Sequence, residues 1–204
     1  MSFAGIFKAK DGLVAIADSK GSIEHDGRLT EDVGRNPQKL FAFVNGVAVT
    51  FGANQIQIQN PTKLFPMKTN IEDLVHEAIS QKGTLGADFF QSLLVKMSSS
   101  PVNQDPVSFI IGRKIRPGEF QIEFHQVGNH YYIQKLAQDK DTCMTGGEEV
   151  YKKTFEQLDA LSYITSADVL QKFLASKLQE FIDFYDKHLT YNSVGGSVRS
   201  YILR

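Results

Sequence analysis

The stretch Asp11-Gly12-Leu13-Val14-Ala15-Ile16-Ala17-Asp18-Ser19-Lys20 carries a turn signal, an unbroken apolar run and a buried-strand exit onto an acid. A strand with one wet face alternates polar and apolar residues. Leu13 to Ala17 is apolar at every position, which predicts a strand covered on both faces. Asp-Gly tolerates the positive φ of a type I′ turn, so Lys10-Asp11-Gly12 predicts a hairpin between Phe3–Ala9 and this strand. The polar stretch Gly21 to Pro37 then reads as a long loop.

The same pattern returns downstream. Leu40-Phe41-Ala42-Phe43-Val44, Asn45-Gly46 and Val47-Ala48-Val49-Thr50-Phe51 predict a second hairpin with both arms buried, ending at Gly52. The period then changes. Asn70 is placed to cap a helix with Ile71, Leu74, Val75, Ala78 and Ile79 on one face, and a second helix runs from about Leu85 to Met97. Ser98-Ser99-Ser100-Pro101 stops it. Three strands follow over Val107–Gly112, Phe120–Val127 and His130–Leu136, then one helix opening at Gly147-Glu148-Glu149. Another is capped by Thr165 or Ser166 and reaches about Leu189. Gly195-Gly196 leads into a last strand, Ser197–Leu203.

The order ββ, ββ, αα, βββ, αα, β groups strands and helices in blocks. That argues against a doubly wound parallel sheet and for α+β packing. Hairpins buried on both faces need cover on each side. Two stacked, mainly antiparallel sheets with a helix pair outside each supply it, which predicts a four-layer αββα sandwich formed by residues 1–204 as one domain.

Composition excludes several functions. With 22 Lys+Arg against 23 Asp+Glu, the formal net charge of −1 lacks the basic excess of a nucleic-acid binder. Cys143 is the single cysteine and cannot form an intrachain disulfide. No apolar run approaches a membrane span, and Met1-Ser2-Phe3-Ala4-Gly5 lacks signal-peptide features. The expectation is a soluble cytoplasmic protein with no nucleic-acid or membrane partner. G-x-G-x-x-G, the P-loop, H-E-x-x-H, C-x-x-C and G-x-S-x-G are all absent, and the five histidines never fall at ligand spacing. No cofactor or metal is expected.

What remains is a spread of polar residues at the ends of the buried hairpins. Ser2 precedes the first strand, Asp18 ends the second, Lys39 stands directly before Leu40–Val44, and Gly52 closes that hairpin. In these blocks the chain resembles the proteasome β-type branch of the N-terminal-nucleophile (Ntn) hydrolases. Asp11–Lys20 is similar to that family's D-G-[VI]-[VI]-[LI]-A-A-D-S-[RK] signature, and Lys39-Leu40-Phe41-Ala42-Phe43 to its K-[IL]-x-x-[IL] strand. Phe51-Gly52 resembles the [AS]-G end of the next strand, and Val194-Gly195-Gly196-Ser197-Val198 the closing [SV]-G-G-x-[VI] segment. The family's αββα sandwich has the same block order over essentially the whole chain.

The resemblance implies roles. Counting back from Asp18, the amino-terminal nucleophile falls on Ser2, which removal of Met1 by an aminopeptidase would expose. A hydroxyl is a weak nucleophile until a base takes its proton, and a free α-amine, pKa about 7.7–8.0, is poised for that near neutral pH. Lys39 would lower neighbouring pKa values, Asp18 would pair with it, and the Gly52 N–H would face the oxyanion. The family's helper serine falls near Thr145. Its helper aspartate falls on Tyr191, so that acid is missing and Asn192 or Ser193 is left to substitute. The segment Asn54–Thr69, with Pro61 and Pro66, also departs from the family, where a helix usually begins. The function expected is hydrolysis of peptide or other amide bonds by a homo-oligomer, with any unfoldase partner undetermined. Two alternatives stay open: a non-catalytic structural or binding subunit, and a small-molecule amidase of the same fold.

Overall fold

The computed structural model describes residues 2–25, 28–31, 36–59, 66–100, 104–135, 143–157 and 165–204. In chain order the strands and helices are β1 (Phe3–Ala9), β2 (Gly12–Ala17), β3 (Ser22–His25), β4 (Arg28–Glu31), β5 (Leu40–Phe43), β6 (Gly46–Gly52), β7 (Gln55–Ile58) and β8 (Met67–Asn70). Then come α1 (Ile71–Lys82), α2 (Ala87–Ser98), β9 (Val107–Arg116), β10 (Glu119–Val127), β11 (Tyr131–Lys135), β12 (Cys143–Gly147), α3 (Glu149–Gln157), α4 (Ala167–His188) and β13 (Arg199–Leu203). One sheet has the order β12-β1-β2-β13 and the other β11-β10-β9-β6-β5, with every neighbouring pair antiparallel. The result is an α+β fold built on antiparallel sheets.

Burial follows the apolar runs. Every residue of β2 is buried because both of its faces are used. Val14 and Ile16 pack with Tyr151, Phe155, Leu170, Leu174 and Leu178 of α3 and α4. Leu13, Ala15 and Ala17 pack instead with Val47, Val49, Ile110 and Ile122 of the other sheet. The remaining face of β6 and β9 meets α1 and α2 through Ala48, Phe109, Val75, Phe90 and Leu93. β2 is thus pinned from two sides, and its exit at Asp18 is placed with little freedom.

Several local expectations are corrected. The β1–β2 turn is Lys10–Asp11, with Ala9 opposite Gly12, and neither turn residue has positive φ. The Asp11 carboxylate instead accepts from the Ala167 N–H at 2.7 Å and satisfies the first turn of α4. Ser166 caps α4 by position but makes no side-chain cap bond. β5 is the edge strand of its sheet, so Ala42 is exposed where burial on both faces was expected. Gly21–Pro37 is not simply loop, since β3 and β4 pair within it. Strand β12 and the paired strands β7 and β8 have no counterpart among the strands expected from sequence.

One ionic cluster braces α2 against the second sheet. Glu123 on β10 lies 3.3 Å from His125, 3.5 Å from Arg113 and 3.4 Å from Lys135. Phe90 of α2 stacks on the His125 ring at 4.3 Å. Hydrogen bonding to His125, aided by Arg113 and Lys135, holds the Glu123 carboxyl down to about 2 against its burial. A depressed folded-state pKa stabilises above the unfolded value, and that contribution is lost as pH falls towards 2. Glu123→Gln is therefore expected to flatten the acid limb of a stability–pH curve between about pH 4.5 and 2, measured by urea unfolding.

Candidate active site at the buried Asp18–Lys39 pair

Asp18 follows β2 and Lys39 precedes β5, and the core clusters on either side bury both, at 0% and 1% exposure. Lys39 Nζ donates to Asp18 Oδ1 at 2.9 Å, to Asp18 Oδ2 at 3.0 Å and to the Lys20 carbonyl at 2.8 Å. Three acceptors match the three N–H groups of an ammonium. Burial pushes the Lys39 pKa below the ordinary lysine range, opposed by the adjacent carboxylate. Asp18 in turn accepts from three backbone N–H groups: Phe3 at 2.9 Å, Lys20 at 3.1 Å and Gly195 at 3.1 Å. The carboxylate therefore ties together β1, the segment after β2, the strand-exit lysine and the Gly195-Gly196 turn.

Ser2 sits at the mouth of this arrangement. It is 1% exposed, its neighbour Phe3 is anchored to Asp18, and its carbonyl accepts from the Glu148 N–H at 2.8 Å. Among the described residues, Ser2 Oγ is the buried side-chain polar atom with no hydrogen-bond partner. Such an atom costs about 1–3 kcal/mol in a folded protein, so its retention suggests a use. It lines a cleft of about 600 Å³ together with Phe51, Gly52, Ala53, Gln126 and Gly147.

Two glycines shape that cleft. Gly52 has φ +87°, and a Cβ there would stand 2.7 Å from the Pro106 carbonyl oxygen. Gly147 has φ +106°, and a Cβ would stand 1.7 Å from the Ser2 carbonyl oxygen. No side chain is tolerated at either point, which leaves backbone lining the cleft next to Ser2.

Asp18 is thus paired with Lys39, Ser2 and Gly52 line one cleft, and the Phe3 N–H links the two groups, whereas Thr145 belongs to neither. Thr145 lies opposite Gly5 in the β1–β12 register, and its hydroxyl donates to Glu156 at 3.2 Å. Tyr191, at the position of the absent acid, turns its hydroxyl to Ser22 at 2.6 Å, and its ring lies 4.9 Å from Lys20 Nζ. Asn192 bonds Tyr151 at 3.0 Å, Asp186 at 3.1 Å and the Val194 N–H at 3.2 Å, which fixes the approach to Gly195. Burial pushes the Tyr151 phenol up, so this network stays neutral at that point. Ser193 donates to Glu148 Oε2 at 3.1 Å. Sequence reasoning missed Glu148 as a neighbour of Ser2, because only the unread strand β12 brings it there. Among the described residues no cluster of His, Cys, Asp and Glu could hold a metal ion, and no helix is long and apolar enough to cross a membrane.

No family model matches the sequence, and a comparison with curated proteins finds no match. Solved structures do match. A mutant of Anbu from Hyphomicrobium sp. strain MC1 superposes with a TM-score of 0.58, covering 99% of this chain and 81% of that one at 19% identity. The fold is that of Anbu. Anbu from Yersinia bercovieri, described as an ancestral β-subunit, gives a TM-score of 0.57 at 14% identity, over 98% of this chain and 80% of that one. Anbu from Pseudomonas aeruginosa, solved as a helical assembly, gives 0.58 at 16% identity, over 98% and 80%. The description of Anbu as an ancestral β-subunit agrees with the β-type resemblance carried by Asp11–Lys20 and Val194–Val198. At these identities the likeness to Anbu is one of fold.

Proposed function

We propose that this chain is an Ntn amide hydrolase whose nucleophile is Ser2, exposed by removal of Met1, on a single αββα domain. The three core clusters support the layering, with apolar faces shared between helices and sheet, sheet and sheet, and sheet and helices. The observation that carries the activity is the unpartnered Ser2 Oγ, buried beside a cleft and anchored through Phe3 to the Asp18–Lys39 pair.

In this reading the Ser2 α-amine takes the proton from Oγ as Oγ attacks the amide carbon. The carbon–nitrogen bond breaks, the proton passes to the leaving amine, and an ester to Ser2 remains. Water then cleaves the ester, releasing the acid and restoring the hydroxyl and amine. The Gly52 backbone N–H stabilises the developing oxyanion, where a side chain would block approach. Lys39, fully hydrogen-bonded to Asp18 and Lys20, acts on the site as a fixed positive charge rather than as a donor to Ser2. The substrate is a peptide or a smaller amide and the protein is cytoplasmic; it is also a homo-oligomer, a reading that the helical assembly of Anbu from Pseudomonas aeruginosa supports.

The amine exists only if Met1 leaves, since a retained methionine turns it into an amide without a usable lone pair. Intact-mass analysis of protein purified from cells is expected to show the chain short by one methionine. A chain that keeps Met1 quantitatively would refute the reading. Light scattering on the same sample is expected to give a mass above that of one chain, and a monomer would remove the oligomer from the proposal.

A further inference from the structure

We propose that Glu148, held by Ser193, positions the α-amine of Ser2 and raises its basicity. This rests on the reading of Ser2 as an amino-terminal nucleophile. Freeing that amine places two or three new N–H donors at a point that is almost fully buried, and a buried donor needs an acceptor. Asp18 is close in the chain network but occupied. An ionised carboxylate offers about four lone-pair sites, and Asp18 already receives Phe3, Lys20 and Gly195 N–H groups and two from Lys39.

Across the β1–β12 register the acidic residue next to Ser2 is Glu148. The β1–β12 register pairs Phe3 with Gly147, which sets Glu148 opposite Ser2, and the Glu148 N–H holds the Ser2 carbonyl at 2.8 Å. Its side chain is half-buried, and its Oε2 accepts from the Ser193 hydroxyl at 3.1 Å. Ser193 belongs to the same 191–196 segment whose Gly195 N–H reaches Asp18. Glu148 and Ser193 therefore link the Ser2 backbone to the segment that reaches Asp18.

The charged groups of the region are Asp18 with Lys39 and Lys20, joined to the Ser2 strand through Phe3, Asp105 in the Ser2 cleft, Glu148 across the register, and Asp186 beyond Asn192 on α4. Lys39 lowers the pKa of the amine, and Glu148 opposes it. By accepting an amine N–H, Glu148 leaves the lone pair directed at Oγ. It is a positioning residue; it touches neither substrate nor Oγ.

The test is competitive acetylation of the amino terminus across pH, with the amino-terminal peptide read by mass spectrometry in wild type, Glu148→Gln and Ser193→Ala. In wild type the acetylated peptide should begin at Ser2. In Glu148→Gln the amine pKa should fall by about 1 unit or more, and in Ser193→Ala, which keeps the carboxylate but frees it, by less. The acid limb of kcat/KM should move to lower pH with the amine, while kcat drops and KM holds. A peptide that begins at Met1 overturns the nucleophile reading itself. A peptide that begins at Ser2 with the same pKa in wild type and Glu148→Gln overturns only the role of Glu148.

Discussion

Asp18→Ala is expected to lose about 3–5 kcal/mol of unfolding free energy, a large share of the roughly 5–15 kcal/mol that holds a typical domain. The loss has two sources. Lys39 is 1% exposed and would keep the Lys20 carbonyl as its acceptor, leaving a buried ammonium without its counter-charge. The Phe3, Lys20 and Gly195 N–H groups would lose their acceptor at the same time. Adding Lys39→Met to Asp18→Ala removes the unpaired charge while keeping an unbranched apolar stem, and should recover part of the loss. Urea unfolding of the single and double variants measures both effects. A single variant within about 0.5 kcal/mol of wild type would mean that the pair does not organise the site.

Ser2→Ala is expected to reduce hydrolysis of a responsive substrate, found in a panel of fluorogenic peptides and simple amides, by about 10³-fold or more. Alanine is as small as serine, so Met1 removal proceeds in the variant and the loss reports the hydroxyl alone. Stability should move the other way. The Ser2 hydroxyl is buried and unpartnered, so deleting it should leave unfolding unchanged or raise its free energy by about 1 kcal/mol. A drop in activity without a drop in stability is the behaviour of a group kept for chemistry. Activity that survives Ser2→Ala would mean a different nucleophile, and a panel without a responsive substrate would favour the non-catalytic subunit.

The sheets were legible in the sequence because burial on both faces leaves a plain mark. Leu13–Ala17 and Val47–Phe51 are unbroken runs of apolar residues but for Thr50, and they form β2 and most of β6. Asp18 and Gly52 stand at the ends of those runs and Lys39 directly before Leu40–Phe43, so placing the strands also fixed where these three residues enter the fold. The rest of the site was harder to read for physical reasons. Cys143-Met144-Thr145-Gly146-Gly147 is short, small and on a sheet edge, with no alternation to mark it as β12. Without that strand its register against β1 is unknown, and neither the pairing of Thr145 with Gly5 nor the bond of the Glu148 N–H to Ser2 can be read. The turn at Lys10–Asp11 shows the same limit, because the partner of the Asp11 carboxylate is the Ala167 N–H, 156 residues away. Pro101, part of the stop expected after α2, lies outside the described residues.

Whether Ser2 is an amino-terminal nucleophile is tested most directly by covalent capture. The native protein is treated with a hydroxyl-directed electrophile, digested, and its modified peptide sequenced by mass spectrometry. The predicted result is a single adduct on the hydroxyl of Ser2, in a peptide that begins at Ser2, and no adduct in Ser2→Ala. An unmodified amino-terminal peptide beginning at Met1, or an adduct that persists in Ser2→Ala, would contradict it.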